Sequence, residues 1–372
     1  MKVAIVTGAI APYTHQLYES LAAVSDIDLS VMTCTETEPN RFWAIPAASR
    51  YTRTTLRGLR FHINDMQHVY LNPSVLTELA RLRPGLVVLC GFSPTMLLAG
   101  LYALATRTPI GIATDGSLDS DPGKHSWIHR LARRLMVPRA VLGFGASQSS
   151  GQLLMNYGLP PARFHLLPIV PAWPSPASIP SFDQRPFDLL FCGTIDDRKG
   201  ALFFADVATR CKQKLGRLSV RIAGDGPLRG ELEARLAASG IAAQFDGYLQ
   251  QHQLAAAYSS AKLFLFPSRN DPWGLVANEA ILCGTPVIAS PHAVSSIELV
   301  AAYEAGEVRP LDVQAWSEVT ARLLADPEQW AALQANHAAA REFYTLDRAV
   351  GSFKTALGTI RKDSPAPAIA AG

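Results

Sequence analysis

Residues 267–291 read PSRNDPWGLVANEAILCGTPVIASP, and this stretch decides the fold. The apolar run just before it, 263–266, has the length and composition of a buried strand, and a Pro-Ser-Arg-Asn-Asp-Pro turn follows. From Trp273 the spacing of Leu275, Ala277, Glu279, Ala280 and Cys283 fits one short helix. Gly284-Thr285-Pro286 closes it before a second apolar strand at 287–289. Such a unit places a helix N-terminus, with unpaired N–H groups and a positive dipole end, at the carboxyl edge of a parallel sheet, where phosphates bind. Gly274 lets a ligand approach the backbone closely. Carboxylates repel phosphate, so the natural partners of Asp271 and Glu279 are hydroxyl groups, which donate to them. Phosphate and polyol together point to a nucleotide-sugar; the plainer alternative is an ordinary βαβ unit with solvated acids.

Outward from this stretch, 372 residues allow two domains, each with its own core, and 48% hydrophobic with 17% charged content describes a globular protein. No apolar run approaches the roughly 20 residues that span a bilayer, and Met1-Lys2 leads straight into an apolar strand, so a cytoplasmic protein is expected. The cysteines Cys34, Cys90, Cys192, Cys211 and Cys283 are widely spaced in apolar runs, which suits buried free thiols better than disulfides or a metal site. The net charge of +3 is uneven. Arg41, Arg50, Arg53, Arg57 and Arg60 form one acid-free cluster, and Lys124, Arg130, Arg133, Arg134, Arg139 and Arg163 form another. Such a basic face suits anionic headgroups or a phosphorylated acceptor, and equally a solvated surface.

In the first half, strands at 2–7, 29–34, 85–90 and 110–114 alternate with helices at 14–24, 72–82 and 96–105. That alternation predicts a doubly wound parallel sheet with right-handed crossovers. No G-x-G-x-x-G is present, which argues against a dinucleotide dehydrogenase. The polar loop 36–43 ends in Phe42-Trp43, suited to sugar or lipid contact and equally to packing. Residues 125–136, HSWIHRLARRLM, carry Trp127, Ile128, Leu131 and Leu135 at helical spacing with arginines largely off that stripe. The stripe is expected to pack on its own sheet with the arginines in solvent; the competing expectation lays the helix on an anionic membrane. Asp119-Ser120-Asp121 spells D-x-D, a pattern that metal-dependent transferases use, but its flexible Gly/Ser/Pro loop argues against a metal. The proline-rich run 168–180 reads as a stiff extended linker, not a packed element, after which strand and helix alternation restarts at 187.

The stretch Asp271-Pro272-Trp273-Gly274-Leu275, then Glu279-Ala280, Gly284, Pro286, Val287 and Ile288, resembles the signature of glycosyltransferase family four, glycosyl transferases group 1. The resemblance runs from 187 to about 324. It includes Gly193-Thr194-Ile195-Asp196-Asp197-Arg198-Lys199-Gly200, set against the family's G-R-x-x-x-x-K-G, and the Gly224 turn. It implies an α/β GT-B fold, with two Rossmann-like doubly wound domains facing each other across a cleft. The implied divisions are an acceptor domain at 1–168, a linker at 169–185, a donor domain at 186–345, a helix at 346–362 returning to the first domain, and a disordered tail at 363–372.

The resemblance also implies retaining transfer from a nucleotide-diphosphate sugar to an acceptor hydroxyl, with no cofactor and no metal. Lys199 and the Gly274 and Leu275 amides would hold the diphosphate. Asp271 would contact the transferred sugar, Glu279 the ribose hydroxyls, and Gly247, Tyr248 and Leu249 the base, with Gly193, Thr194, Arg198, Gly224 and Trp273 completing the donor site. Asp271 stands where the family has glutamate, and Thr194 where it has the arginine that shares the diphosphate charge with the lysine; Arg198 substitutes if it reaches back. Asp115 is the acceptor-side candidate, with His15 and His125 as further candidates. The expected partners are the donor, a glycan or lipid-linked acceptor, and an anionic membrane met through the basic first domain, at the inner face of the plasma membrane. The expected pathway is bacterial surface polysaccharide or glycolipid synthesis. Nucleic acid is not expected, since no binding module accompanies the basic stretches. Two other functions fit the same donor residues: a nucleotide-sugar epimerase, and a non-catalytic sugar-nucleotide-binding subunit.

Overall fold

The computed structural model of the protein describes residues 1–37, 44–64, 67–174 and 176–363. Most of the loop 36–43 and the tail from 364 therefore lie outside the described residues. The chain divides into two compact units, Met1–Ile169 joined by the segment from Leu346, and Val170–Thr345.

Unit 1 contains β1 (Lys2–Thr7), α1 (Pro12–Ala22), β2 (Asp28–Thr33), β3 (Thr52–Thr55), β4 (Leu59–Asn64), β5 (Gln67–Leu71), α2 (Ser74–Leu82), β6 (Leu86–Cys90) and α3 (Pro94–Ala105). There follow β7 (Ile110–Thr114), α4 (Trp127–Met136), β8 (Leu142–Gly145), α5 (Gln148–Asn156) and β9 (Phe164–Leu166). The sheet order is β3-β2-β1-β6-β7-β8-β9, all parallel. A parallel sheet is covered on both faces, so its strands are continuous apolar runs, as in the buried Val3, Ala4, Ile5 and Val6 of β1. Val75, Leu79, Met96, Ala99 and Met136 cover one face; Tyr18, Leu21, Phe353 and Leu357 cover the other. The last of these belong to α12 (Leu346–Asp363), which stacks Phe353 on Phe144 of β8 at 4.9 Å and donates from Ser352 to the Leu166 carbonyl at 2.6 Å. β3 and the antiparallel hairpin β4–β5 were not expected from sequence, because Arg53, Arg57 and Arg60 interrupt the apolar run that marks a buried strand.

Unit 2 contains β10 (Phe187–Cys192), α6 (Ala201–Leu215), β11 (Ser219–Ala223), α7 (Arg229–Ala238), β12 (Ala242–Gly247) and α8 (Gln251–Ser259). It continues with β13 (Ala261–Phe266), α9 (Leu275–Leu282), β14 (Val287–Ala289), β15 (Gly306–Val308), α10 (Val313–Ala325) and α11 (Pro327–Phe343). The parallel order β12-β11-β10-β13-β14-β15 is that of the doubly wound nucleotide fold. Phe204, Leu232, Trp316 and Trp330 close its core.

Two expectations are corrected. The proline-rich run is packed, not a free spacer: Pro171 and Trp173 are buried, and Gln334 donates to the Pro180 carbonyl at 3.2 Å. Prolines bring no N–H to satisfy, so an extended chain can be laid against an apolar surface at little cost. Five residues past the run stands Arg185, which is 2% exposed and donates to the carbonyls of Pro180, Tyr258, Ala261, Cys283 and Gly284 and to the Thr285 hydroxyl. Second, α4 is turned the other way round. Its Trp127, Ile128, Leu131 and Leu135 face solvent, while Ala132, Arg133 and Met136 are buried.

Candidate functional site

In unit 2 the strand order reverses between β10 and β13, and the crevice beyond their carboxyl ends is where doubly wound sheets take ligands. The loop leaving β10 carries Gly193 to Gly200; the loop leaving β13 carries residues 267–274. The two are laced together, since the Arg269 N–H donates to the Arg198 carbonyl at 2.7 Å. A Cβ at Gly200, whose φ is +73°, would stand 2.3 Å from the Pro267 carbonyl oxygen, so this approach needs glycine.

The Asp271 carboxylate receives Lys199 Nζ on Oδ2 at 2.6 Å and faces Arg198 Nη1 across 3.6 Å at Oδ1. The Arg198 guanidinium is thus held at the Asp271 carboxylate. Its Nη1 also donates to the Asn270 carbonyl at 3.2 Å, and its Nε is buried with no hydrogen-bond partner. Lys199 is held from below by Asp196, whose Oδ1 accepts the Lys199 N–H at 2.7 Å. Two cations thus converge on one carboxylate, with side chains only 13% (Lys199) and 11% (Asp271) exposed. Partial burial makes such charges count for more than surface pairs do.

α9 starts at Gly274 with φ +94°. A Cβ there would lie 2.7 Å from Ser295 Oγ and 2.8 Å from the Phe266 ring, and Ser295 Oγ donates to the Gly274 carbonyl at 3.0 Å. The N-terminus of α9 is thereby aimed by a position only glycine fills. Glu279, further along the helix, is 8% exposed and accepts the Tyr258 hydroxyl on Oε2 at 2.8 Å. Burial pushes its pKa up to about 7, against the pull of the Tyr258 hydrogen bond and of Lys199. Burial likewise pushes the neighbouring Cys192 thiol up to about 12, which makes it inert.

Lys199, Asp271, Glu279, Arg198, Gly274 and Leu275 therefore belong to one switch-point crevice. Gly193 lines its loop with φ +143°, and Thr194 is exposed. Gly224 serves close packing: a Cβ there would stand 1.9 Å from the Gly193 carbonyl oxygen. Gly247, with φ +68°, leads from β12 to Tyr248, which is exposed, and to Leu249, which is half-buried. The Trp273 side chain is packed away, 2% exposed, with Nε1 donating to Asn278 Oδ1 at 2.8 Å and its ring 5.8 Å from that of Tyr344, so it can offer a ligand only backbone. Asp115 lies in unit 1, exposed, just beyond β7. The D-x-D pattern is otherwise engaged: Asp121 is bound by Arg133 at 3.0 Å and by the Tyr157 hydroxyl at 2.5 Å, and Asp119 pairs with Lys124. Sequence reasoning missed Tyr258, Asp196 and Ser295, whose contacts join distant or unpatterned positions. Only Asp196, three residues before Lys199, leaves a local signal, that of a side chain closing a turn.

These two doubly wound units and the switch-point crevice in the second define the class. Residues 186–326 match the family of glycosyl transferases group 1. Among curated proteins the chain is similar to the sulfoquinovosyl transferase SQD2 of Arabidopsis thaliana, 26% identical over 59% of this chain and 45% of that protein. It is also similar to a GDP-mannose-dependent alpha-(1-6)-phosphatidylinositol dimannoside mannosyltransferase of Mycobacterium tuberculosis, 29% identical over 46% of this chain and 44% of that protein. The chain spans about half the length of the curated relatives it matches. Among solved structures it is similar to Anabaena Alr3699/HepE in complex with UDP, with TM-score 0.73, 16% identity and coverage of 96% of this chain and 100% of that one. The chain has the GT-B fold, and its second unit carries the stretch, residues 186–326, that matches the glycosyl transferases group 1 family.

Proposed function

We propose that the protein is a retaining glycosyltransferase that moves a hexosyl group from a nucleotide-diphosphate sugar to an acceptor hydroxyl. The observation that carries this is the convergence of Lys199 and Arg198 on Asp271 beside the glycine-started N-terminus of α9. In the reaction the bond between the anomeric carbon and the diphosphate oxygen breaks, its electron pair staying on the diphosphate. The acceptor oxygen bonds to that carbon on the face the diphosphate leaves, and its proton passes to the departing diphosphate oxygen. Negative charge therefore grows on the diphosphate, and cations with oriented N–H groups already in place stabilise it without reorganising. Lys199, Arg198 and the Gly274 and Leu275 amides take that role, with Arg198 supplying the cation that Thr194 lacks. Asp271 holds the sugar as the diphosphate draws the cations, and Glu279 holds the ribose hydroxyls. These cations do by charge what a divalent ion can do elsewhere, so no metal or cofactor is assigned. Asp115 is assigned to the acceptor side. The relative named as a phosphatidylinositol dimannoside mannosyltransferase supports a lipid-linked or surface glycan acceptor.

The test is thermal unfolding against a panel of nucleotide-sugars for the parent, Lys199→Ala and Glu279→Ala, followed by product analysis with and without acceptors. A donor present at a hundred times its dissociation constant stabilises by about 2.7 kcal/mol. The expected result is stabilisation that both variants lose, then transfer with the donor's anomeric configuration kept. Conversion of donor alone to an isomer would show an epimerase, and binding without turnover on any acceptor a binding subunit.

A further inference from the structure

On α4, Trp127 is 72% exposed, Ile128 59% and Leu131 58%. At 3.6 residues per turn these three and Leu135 share an arc of about 100°. The opposite side, Ala132 and Met136, meets the core, and the one arginine that goes inward, Arg133, is neutralised by Asp121 at 3.0 Å and lies 4.6 Å over the Phe92 ring. The helix is therefore anchored by small and neutralised groups and shows its large apolar side chains to solvent, with Arg130 and Arg134 along one border of the stripe and Arg139 just past its end.

The stripe is not isolated. α3, against which α4 packs, exposes Leu101; α2, beside α3, exposes Leu76; and the β4–β5 hairpin, which α3 also contacts, exposes Leu59 and Phe61. Outside unit 1 the large apolar side chains left exposed among the described residues are Tyr248 and Ile297. The charge on the same elements is one-sided. Arg57, Arg60, Arg83 and Arg107 are exposed, Glu78 is paired with Arg81, Asp119 with Lys124, and the chain has no acid at all between Asp121 and Asp183.

We infer that unit 1 docks on an anionic lipid bilayer through this face, with α4 lying in the headgroup plane. Large apolar groups bordered by arginines call for a partner with hydrocarbon directly beneath negative charge, which is what anionic lipid supplies. A two-fold contact between copies would bring Arg130 and Arg134 close to their own symmetry mates, a like-charge approach that disfavours self-association. The inference is independent of the donor-site assignment.

The experiment floats the full chain with vesicles of phosphatidylcholine alone and with about 30 mol % phosphatidylglycerol, for the parent, Ile128→Glu/Leu131→Glu and Arg130→Gln/Arg134→Gln. The expected result is flotation only with the anionic vesicles, weakened by salt, and at least about tenfold lower partitioning for each double variant. Ile128 and Leu131 are exposed, so their variant keeps the parent's unfolding temperature; Arg130 donates to the Gly123 and Lys124 carbonyls, so the arginine variant is assayed below its own measured unfolding temperature, which separates lost docking from lost folding. Trp127 fluorescence shifts to the blue on binding, and Trp127→Phe removes the shift. Parent flotation that the Ile128/Leu131 variant leaves unchanged would overturn the inference. So would absence of flotation, or a concentration-dependent dimer abolished by the same variant without vesicle binding.

Discussion

Donor affinity should depend on pH through Glu279, and the size of the effect follows from the site. Burial has raised this carboxyl from about 4.5 to about 7, so it is half protonated in the empty protein at neutral pH. A raised acid stabilises the fold fully below its unfolded pKa, and that contribution is lost as pH rises through 7. Ribose hydroxyls donate hydrogen bonds and so select the carboxylate, pulling the bound-state pKa down. Binding must then release a proton, about half of one per donor at pH 7, and affinity should improve about tenfold between pH 6 and pH 8 and level off above. Calorimetry in two buffers of different ionisation enthalpy measures both numbers. The intact nucleotide-sugar is the ligand to use, because a free terminal phosphate itself titrates near pH 6. Glu279→Gln should bind more weakly with a flat pH profile. Tyr258→Phe removes a hydrogen bond that favours the carboxylate and should move the midpoint of the profile up. Affinity independent of pH in the parent, or proton uptake on binding, would refute the assignment of Glu279 to the donor hydroxyls.

Arg185→Met should destabilise unit 2 by about 3–5 kcal/mol in denaturant unfolding, because it removes the guanidinium's bonds to the carbonyls of Tyr258, Ala261, Cys283 and Gly284, of which Tyr258 keeps the Thr285 hydroxyl and Gly284 keeps Gln334 Nε2 as donors. Gly274→Ala should cost about 1–3 kcal/mol, from φ +94° and the crowding against Ser295 and Phe266, and should weaken donor binding while Gly230→Ala, with open space around it, does neither. His337 is held neutral, its pKa pushed down to about 4 by burial against the opposing pull of its hydrogen bond to the Ala305 carbonyl. Its depressed pKa means that stability is lost as pH falls from about 6.5 toward 4, by up to about 3 kcal/mol, and His337→Gln should flatten that limb of a stability-against-pH curve.

Much of the switch-point crevice was legible because its elements are local in sequence. Strand, glycine turn and helix start are consecutive in the chain, and Gly274, Glu279 and Lys199 are fixed by short-range spacing. The cores of β10, β13 and β14 follow from apolar runs, since strands buried on both faces admit little polar alternation; β13 begins two residues before its apolar run because Lys262 is paired with Asp188 of β10 at 2.8 Å. Tyr258 under Glu279 and the Arg185 cluster were not legible, because their partners lie 21 and 73 to 100 residues away in sequence. The approach of Arg198 to Asp271 was not legible either, since the two stand 73 residues apart in sequence and no spacing rule joins them.

The sequence by itself determined two βα-alternating halves, the strand, glycine turn and helix unit around 267–291, and the presence of an apolar stripe on α4. Tertiary structure alone decided that the proline-rich run is packed and that the α4 stripe faces outward. Periodicity shows that a helix has two faces but not which one meets the core. That choice depended on Asp121 neutralising Arg133, an ion pair that let the side with Ala132 and Met136 be buried in place of the larger residues.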